Sequence, residues 1–182
     1  MKILVTGGAG FIGSHLVEEL IKTKENSVLV IDNLLTGKKS NLDFSQDFEL
    51  VIDELGSQSS LEKIQAFNPE ICYHLAAQSS VVISVEDPAL DFEHNILQPI
   101  KLIQTLLTTD CKKFIFTSSG GTIFGEPDVI PTSEIDFAGE PESPYGVAKK
   151  RLNELIEIMT HDTKLSYSIL NLSNVFKNNL FD

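Results

Sequence analysis

The sequence of 182 residues is poor in cysteine, in basic residues and in long hydrophobic runs. Its two cysteines, Cys72 and Cys111, lie in apolar segments without metal-ligand spacing, so we expect free buried thiols in a reducing compartment. No apolar run approaches the ~18 residues that a membrane-spanning helix needs. The first residues also lack the charged and apolar regions of a signal peptide. These absences favour a cytoplasmic protein and exclude a disulfide scaffold.

Basic residues are outnumbered, with 14 Lys and Arg against 26 Asp and Glu and a formal net charge of -12. A chain this acidic binds nucleic acid and anionic membranes poorly, so we expect neither as a partner. The histidines share no metal-ligand spacing, and we expect no metal site. The 42% hydrophobic and 22% charged residues are typical of a folded protein and exclude disorder. The length suits one domain over residues 1–182.

Apolar patterns alternate between strand and helix along the whole chain. Strands are predicted at 3–5, 28–31, 48–52, 70–75, 113–117 and 167–172, and helices from residue 11, at 61–67, at 90–107 with a kink at Pro99, and at 145–159. The strands are apolar on both faces, which indicates a parallel sheet covered by helices on both sides. The predicted fold class is therefore α/β, a doubly wound parallel sheet, followed by an irregular tail from about residue 176.

A glycine-rich turn follows the first predicted strand and opens the first predicted helix. It satisfies G-x-G-x-x-G at Gly8, Gly10 and Gly13, and G-x-x-G-x-x-G at Gly7, Gly10 and Gly13. Such a turn allows a close backbone approach to a pyrophosphate, which the amides at the helix N-terminus then bind. The spacing predicts a dinucleotide-binding site.

An acidic residue, Asp32, ends the second predicted strand, 19 residues after Gly13. A carboxylate there accepts hydrogen bonds from the adenosine ribose and repels a 2′-phosphate, so the sequence favours NAD over NADP. We expect Asp32 to face a solvent-filled crevice, where its loss would leave the fold intact. Lys38 and Lys39 follow, and solvated loop charges are their expected role.

Tyr145 and Lys149 are four residues apart in the last predicted helix, so both side chains lie on one face. An ammonium near a phenol favours the phenolate, and we expect Lys149 to lower the pKa of Tyr145 and make it a usable base. Hydroxyl side chains cluster at Ser118 and Ser119, at the carboxyl end of the fifth predicted strand. Either serine is placed to hydrogen-bond a substrate hydroxyl.

Several segments, taken together and in this order, are similar to one family. They are Val5–Leu16, Asp32–Leu34, Thr36–Gly37, His74–Gln78, Asp87–Pro88, Asn95, Ser118–Gly121, Ser143–Gly146 and Lys149. The chain resembles the extended short-chain dehydrogenase/reductases, and among them the nucleotide-sugar epimerases of the UDP-glucose 4-epimerase type. The resemblance implies a Rossmann fold and NAD as the cofactor.

The resemblance also implies roles for individual residues. Cofactor contacts are expected from Gly7, Gly10, Phe11, Ile12, Gly13, Asp32, Asn33, Asp53, Glu54, Leu75, Ala76, Ala77, Asn95, Tyr145 and Lys149. Within this set Asp53, with Glu54 beside it, would bind the adenine, and Asn95 would brace the long helix against the active-site loop. Ser119, Tyr145 and Lys149 would be catalytic, and Ser119 and Asn174 would contact the substrate. In such epimerases the tyrosine removes the 4′-hydroxyl proton while NAD accepts a hydride from C4 and later returns it to the other face.

Some positions depart from the family pattern. Gly120–Gly121 replace the Asp-Glu pair of the related dehydratases, so an acid for dehydration is missing. The loop length leaves Ser118 open as an alternative to Ser119, and Phe124 replaces a usual tyrosine. An acidic run at 134–142 is read as a solvated loop, with a cover over the site as the alternative.

In the family a second lobe follows and supplies most contacts to the nucleotide diphosphate, and we expect this C-terminal substrate lobe to be absent here. A nucleotide-sugar epimerase is the first functional hypothesis, and an NAD-binding domain without catalysis is the second. Another reaction of the family on a nucleotide sugar is the third. We expect a homo-oligomer that associates through the edge near residues 170–182.

Overall fold

Strands and helices alternate in the computed structural model, which describes residues 1–45, 47–126 and 139–176. Its strands are β1 (Lys2–Thr6), β2 (Ser27–Asp32), β3 (Glu49–Ile52), β4 (Ile71–His74), β5 (Lys113–Ser119) and β6 (Ser166–Leu172). Its α-helices are α1 (Phe11–Ile21), α2 (Gln58–Phe67), α3 (Val81–Glu86), α4 (Pro88–Phe92), α5 (Gln98–Leu107) and α6 (Pro144–Thr160). A 3₁₀ helix spans Lys39–Leu42, and a π-helical turn spans Glu93–Leu97.

The strands form one parallel sheet in the order β3-β2-β1-β4-β5-β6. The chain order reverses between β1 and β4, where the crossover connections leave the sheet in opposite directions and open a crevice at the carboxyl ends of the strands. This arrangement confirms the predicted doubly wound α/β class and is that of a Rossmann fold. The reversal also decides where a ligand can bind.

Both faces of the sheet are buried, as the apolar strands predict. On one face Leu4, Leu29 and Ile31 pack with residues of α2, α5 and α6. On the other face Ile3 and Val5 pack with β2 and α1. Neighbouring residues of a strand point to opposite faces, so both must be apolar when helices cover both sides.

Two elements differ from the sequence prediction. β5 continues to Ser119, beyond the predicted end at residue 117, because β6 pairs with it through Ser118 and Ser119. A short helix, α3, was not predicted at all. Its N-cap is Ser80, whose hydroxyl accepts a hydrogen bond from the Ile83 amide at 3.3 Å. Pairing with β6 accounts for the longer β5, and the cap at Ser80 accounts for α3.

The long predicted helix is a helical run from Pro88 to Leu107 that widens into the π turn just before Pro99. Proline has no amide hydrogen, and its ring collides with the carbonyl four residues back in a regular α-helix. An extra residue in the preceding turn accommodates such a ring. The irregularity predicted at Pro99 is thus a π turn, and it buries Asn95 and Ile96.

Two predicted segments fall outside the described residues. These are Glu134 and Asp136 of the acidic run, and residues 177–182 of the tail.

His74, the last residue of β4, is fully buried beneath the carboxyl edge of the sheet. Its Nδ1 is hydrogen-bonded to the Thr6 hydroxyl at 2.7 Å, and its ring stacks with Phe114 and Phe116 at centroid distances of 5.8 and 5.6 Å. Burial, assisted by the positive charge of Lys149, lowers the pKa of His74 to about 3. The imidazole is therefore neutral throughout the physiological range.

This burial predicts a specific loss of stability in acid. Unfolded histidine takes up a proton near pH 6.5, whereas folded His74 does so only near pH 3, so stability falls as the pH drops below 6.5. By pH 5 the loss from this residue should reach about 2 kcal/mol. Denaturant unfolding of wild type and His74→Gln between pH 5 and 8 should show a shallower acid loss in the variant. Exposed His161→Gln is the control, and parallel curves for His74→Gln and wild type would contradict the prediction.

Candidate active site

A cavity of about 570 Å³ opens at the carboxyl edge of the sheet, over the reversal between β1 and β4. Most residues singled out in the sequence line it: Gly7, Gly10, Phe11, Ile12, Gly13, Asp32, Asn33, Asp53, Leu75, Ala76, Ala77, Ser119, Tyr145, Lys149 and Asn174. Glu54 and Asn95 do not belong to this lining. The fold thus brings residues from seven separate chain segments to one place.

The glycine turn forms one wall of the cavity. Gly7 has a φ of 71°, and a Cβ there would lie 2.5 Å from the Ala76 backbone nitrogen, so only glycine fits. A Cβ on Gly13 would lie 2.1 Å from the Gly7 carbonyl oxygen, which accounts for the close packing of α1 on the turn. Gly10 differs, because a Cβ there would meet only the Gly7 oxygen, at 3.3 Å.

The first turn of α1 suits a phosphate group. Phe11, Ile12 and Gly13 line the cavity, and the N-cap is Gly10, so no side chain in the described part of the chain caps this helix end. The first amides of a helix lack internal partners and carry the positive end of the helix dipole. A phosphate oxygen satisfies both requirements.

Asp32 ends β2 and is only 7% exposed. Its Oδ2 accepts a hydrogen bond from the Ala9 amide and its Oδ1 one from the Leu34 amide, both at 2.8 Å. Asp32 lines the cavity, as the expected place at a crevice requires, but it is buried and has backbone partners that the sequence did not predict. The same side chain that lines the cavity also holds the glycine turn, because it takes up two backbone donors that burial would otherwise leave unpaired.

Asp53 and Glu54 follow β3 and have different surroundings. Asp53 lines the cavity and accepts hydrogen bonds from the hydroxyls of Ser57, at 2.7 Å, and Ser59, which lower its pKa. Glu54 lies outside the lining and instead accepts hydrogen bonds from Asn33 and Gln98, both at 2.9 Å. Glu54 therefore positions the rim, and a direct contact with a ligand in the cavity has no geometric support.

Asn95 is buried in the π turn behind the cavity. Its side-chain nitrogen donates to the Gln78 carbonyl and to Asp91 Oδ1, each at 2.9 Å. These contacts match the predicted bracing between the long helix and the loop after β4. They give no support to Asn95 as a direct cofactor ligand, since the loop lies between it and the cavity.

The first turn of α6 presents Tyr145 to the cavity. Ser143 caps this helix by accepting a hydrogen bond from the Gly146 amide at 3.1 Å, and Pro144 occupies the first helical position, which suits its fixed φ. A Cβ on Gly146 would lie 2.6 Å from the Thr122 carbonyl oxygen, so glycine allows the helix to start against the loop after β5. These features place Tyr145 beside the end of β5.

Lys149 lies one turn further along α6 and is 3% exposed. Its Nζ donates to the Thr117 carbonyl at 3.0 Å and lies 4.6 Å above the centre of the Phe116 ring. Burial lowers the pKa of Lys149 to about 8, while the charge of Asp91 acts in the opposite direction. The ammonium is therefore held by a carbonyl dipole and an aromatic face.

The pKa of Tyr145 is raised, in contrast to the sequence prediction. Burial is the largest cause, a hydrogen bond with Ser119 lowers the pKa, and the charge of Asp91 raises it. Lys149 Nζ is 5.8 Å from the centre of the phenol ring and does not outweigh burial. The phenol is therefore protonated at neutral pH, and a positive charge close to it would favour the phenolate.

The hydrogen bond to Tyr145 distinguishes the two serines. Ser119 makes this bond, whereas the Ser118 hydroxyl is buried without a partner among the described residues. Both line the cavity, but neighbouring strand residues point to opposite faces, so the contact with the phenol belongs to one of them. The hydrogen bond that lowers the Tyr145 pKa thus favours Ser119 over the alternative Ser118.

Further residues of the site were not assigned a role from the sequence. The cavity is also lined by Leu35, Leu55, Gln78, His94, Gln98, Thr122, Ser173 and Val175. Asp91, fully buried, is hydrogen-bonded to Gln78 and Asn95 behind the wall. The spacing of Asp91 and Asn95 at i and i+4 was the one available signal, and it is common in helices.

In residues 1–45, 47–126 and 139–176, no cluster of three or more His, Cys, Asp or Glu is arranged to hold a metal ion. None of the helices in this part of the chain combines the length and the hydropathy needed to cross a membrane.

The buried Lys149 ammonium makes the stability of the chain depend on pH above neutrality. Unfolded lysine keeps its proton to about pH 10.5 and folded Lys149 only to about pH 8, so wild-type stability rises with pH between these values. Lys149→Met removes the titrating group and should therefore lack this rise of about 3 kcal/mol. Denaturant unfolding between pH 7 and 10 measures this, with exposed Lys101→Met as control. A Lys149→Met chain whose stability rises as much as that of wild type over this range would contradict the prediction.

Known proteins share this arrangement. The profile of the NAD dependent epimerase/dehydratase family matches residues 3–179. The UDP-glucose 4-epimerase of Mycolicibacterium smegmatis is 39% identical over 152 residues, which are 82% of this chain and 48% of that protein. The UDP-glucose 4-epimerase of Thermotoga maritima, solved with UDP-glucose, superposes with a TM-score of 0.90 at 40% identity, covering 97% of this chain and 56% of its own.

The Thermus thermophilus UDP-glucose 4-epimerase, solved in complex with NAD, has a TM-score of 0.85 at 36% identity and covers 93% of this chain and 54% of its own. The chain thus spans about half the length of the relatives that it matches. NAD is the cofactor of the family, and the uncapped turn of α1 and the Asp32 carboxylate fit its pyrophosphate and ribose. With a profile match over nearly its whole length and the expected residues around one cavity, the chain belongs to the NAD-dependent epimerase/dehydratase family.

Proposed function

We propose that this chain binds NAD and carries the proton-transfer residues of a nucleotide-sugar epimerase that works by transient oxidation at C4 of the sugar. One observation carries the proposal: Tyr145, Ser119 and Lys149 line the same cavity as the uncapped glycine turn, and the Lys149 Nζ is 5.8 Å from the centre of the phenol ring. A phenol, a hydroxyl and an ammonium beside a dinucleotide site are what oxidation of an alcohol requires. We treat residues 1–182 as one NAD-binding domain.

The cavity provides a place for each part of the cofactor. The amides of Phe11, Ile12 and Gly13 would hold the pyrophosphate, and Asp32 would accept hydrogen bonds from the adenosine ribose. The adenine would lie towards Asp53, at the rim that Glu54 positions. The nicotinamide end would then extend towards Tyr145 and Lys149.

NAD, when bound, supplies the hydride acceptor and a positive charge near the phenol. Tyr145 then takes the proton of the sugar 4′-hydroxyl and returns it at the end of the reaction, so the residue ends each cycle as it began. Ser119 would hydrogen-bond the same hydroxyl, and Lys149 would orient the cofactor ribose and favour the phenolate. Asn174, just after β6, would contact the substrate.

A nucleotide sugar of the UDP-glucose or UDP-galactose type is the proposed substrate. The similarity to several UDP-glucose 4-epimerases supports it. Gly120 and Gly121 favour epimerisation over dehydration, because they leave the end of β5 without an acid. The cytoplasm, which keeps thiols such as the buried Cys72 and Cys111 reduced, is the proposed compartment.

Self-association remains a prediction. β6 lies at the edge of the sheet, and its Tyr167 and Leu170 are 37% and 44% exposed. Exposed apolar residues on an edge strand favour a partner surface.

A second candidate function is NAD binding without catalysis. Ser173, Asn174 and Val175, which form the cavity wall beyond β6, are exposed. The remote part of a substrate contributes binding energy that positions the reacting atoms, so an open wall on the substrate side would lower turnover as well as affinity.

The cofactor assignment predicts a preference for NAD over NADP of at least about 100-fold, because the Asp32 carboxylate would face a 2′-phosphate unpaired. Isothermal titration of the wild-type chain with both dinucleotides measures the preference, and equal affinities would contradict it.

Asp32→Ala should lower NAD affinity by about 10-fold or more. It should also destabilise the ligand-free chain by about 1–3 kcal/mol, because two buried amides lose their acceptor. Exposed Asp43→Ala is the control for both effects.

The catalytic assignment predicts that Tyr145→Phe lowers the interconversion of UDP-glucose and UDP-galactose by about 10²–10⁴-fold. NAD affinity should change little, since the ring remains in place. The matched control is Tyr167→Phe, which removes a phenol hydroxyl from β6 outside the cavity lining. Turnover that survives Tyr145→Phe would refute the role of Tyr145. A wild-type chain that binds NAD and converts neither sugar would favour the second candidate function.

A further inference from the structure

Asp91 is a carboxylate of α4 that is fully buried behind the wall of the cavity. Its Oδ1 accepts two hydrogen bonds, from Gln78 Nε2 at 2.8 Å and from Asn95 Nδ2 at 2.9 Å. Its Oδ2 has no hydrogen-bond partner among the described residues. A buried carboxylate that is only half satisfied is costly, so a compensating charge is needed nearby.

The donors to Asp91 connect it to the loop after β4. Gln78 lines the cavity, and its Oε1 accepts a hydrogen bond from the Ser80 amide at 2.6 Å while its carbonyl accepts one from Asn95. Asp91 therefore lies at the centre of a buried polar network directly under the loop that forms the cavity wall. Its position relative to the loop is determined by several independent bonds.

Lys149 is the cation on the other side of this network. α4 packs against α6, which carries both Tyr145 and Lys149. Within the described part of the chain Lys149 has no ion-pair partner, and its Nζ is held by the Thr117 carbonyl and lies over the rings of Phe116 and Tyr145. Burying an ammonium on these contacts costs free energy that a nearby negative charge offsets.

The charges influence one another in the expected directions. Asp91 raises the pKa of Lys149, against the larger effect of burial. Burial raises the pKa of Asp91, and the charges of Lys149 and His94 lower it. Asp91 also raises the pKa of Tyr145. The groups that face this cluster are thus Lys149 and Tyr145 of α6, His94 of the π turn, and His74 of β4, which is neutral.

We propose that Asp91 is a positioning residue whose buried negative charge keeps the Lys149 side chain protonated and in place at the cavity. The inference deepens the proposed function, on which the catalytic role of Lys149 rests. A neutral residue at this position would leave the ammonium with one carbonyl and two aromatic rings, and no negative charge from Asp91. The fraction of charged Lys149 would then fall within the working pH range.

The test is a pH titration of the Lys149 side chain by NMR in the NAD-free full chain, with the resonance assigned through Lys149→Arg. Wild type should titrate near pH 8. Asp91→Asn preserves an oxygen that can accept from Gln78 and Asn95 but removes the charge, and it should lower the midpoint by about one unit. Exposed Glu86→Gln, the same chemical change on α3, should leave the midpoint where it was. Asn95→Ala, which removes one of the hydrogen bonds to Asp91 and preserves the charge, should shift it less than Asp91→Asn.

An unchanged Lys149 midpoint in a folded Asp91→Asn chain would overturn the proposal. If that variant does not fold, wild type decides the question, since the Lys149 resonance must move at the acidic pH where the Asp91 carboxyl carbon titrates. Its failure to respond there would also overturn the proposal. Neither measurement requires NAD or turnover, so it separates a wrong role for Asp91 from a wrong proposed function.

Discussion

The approach of the Gly7 turn to the Ala76 backbone is the constraint on which the site depends. A Cβ at Gly7 would lie 2.5 Å from the Ala76 nitrogen, so the ends of β1 and β4 meet without a side chain between them. This contact lies where the strand order reverses and forms the floor of the cavity. This contact fixes the position of the uncapped turn of α1 on one side and of the loop 75–79 on the other. A larger residue at this position would move both walls.

The site combines two uses of polar groups. Asp32 binds the Ala9 and Leu34 amides, so the carboxylate proposed to select the cofactor also holds the turn that would bind its phosphates. A single side chain would therefore both select the cofactor and hold the phosphate-binding turn in place. Lys149 represents the opposite case, because its ammonium is buried at a cost to stability. Such costs are typical of functional sites, where the chemistry requires a charge that packing alone would exclude.

Buried titratable groups behind the cavity influence the pKa values of the residues that line it. His74 is buried as a neutral ring on whose pKa the Lys149 charge acts, and the buried Asp91 carboxylate acts on the pKa of Lys149. Tyr145 is left with a raised pKa in the absence of a ligand, since burial and Asp91 together exceed the hydrogen bond from Ser119. The phenol is therefore protonated at neutral pH. A positive charge close to it would favour the phenolate.

Local patterns in the sequence determined the parts of this protein that depend on neighbouring residues. The alternation of apolar runs indicated the α/β sheet, and the spacing of Gly7, Gly10 and Gly13 indicated the uncapped turn. The i and i+4 spacing of Tyr145 and Lys149 placed them on one helix face. Each of these features follows from helix or strand periodicity and from the steric freedom of glycine, which neighbouring residues suffice to define.

The tertiary structure alone decided how far each side chain is buried and what it contacts. It placed Asp32 under the turn, moved Glu54 and Asn95 out of the cavity lining, and assigned the bond to Tyr145 to Ser119 rather than Ser118. It also reversed the expected direction of the Tyr145 pKa and placed Asp91 close enough to influence Lys149. These outcomes depend on desolvation and on charges that come from distant parts of the chain. A linear sequence determines which groups are present, whereas only packing determines how much water surrounds them.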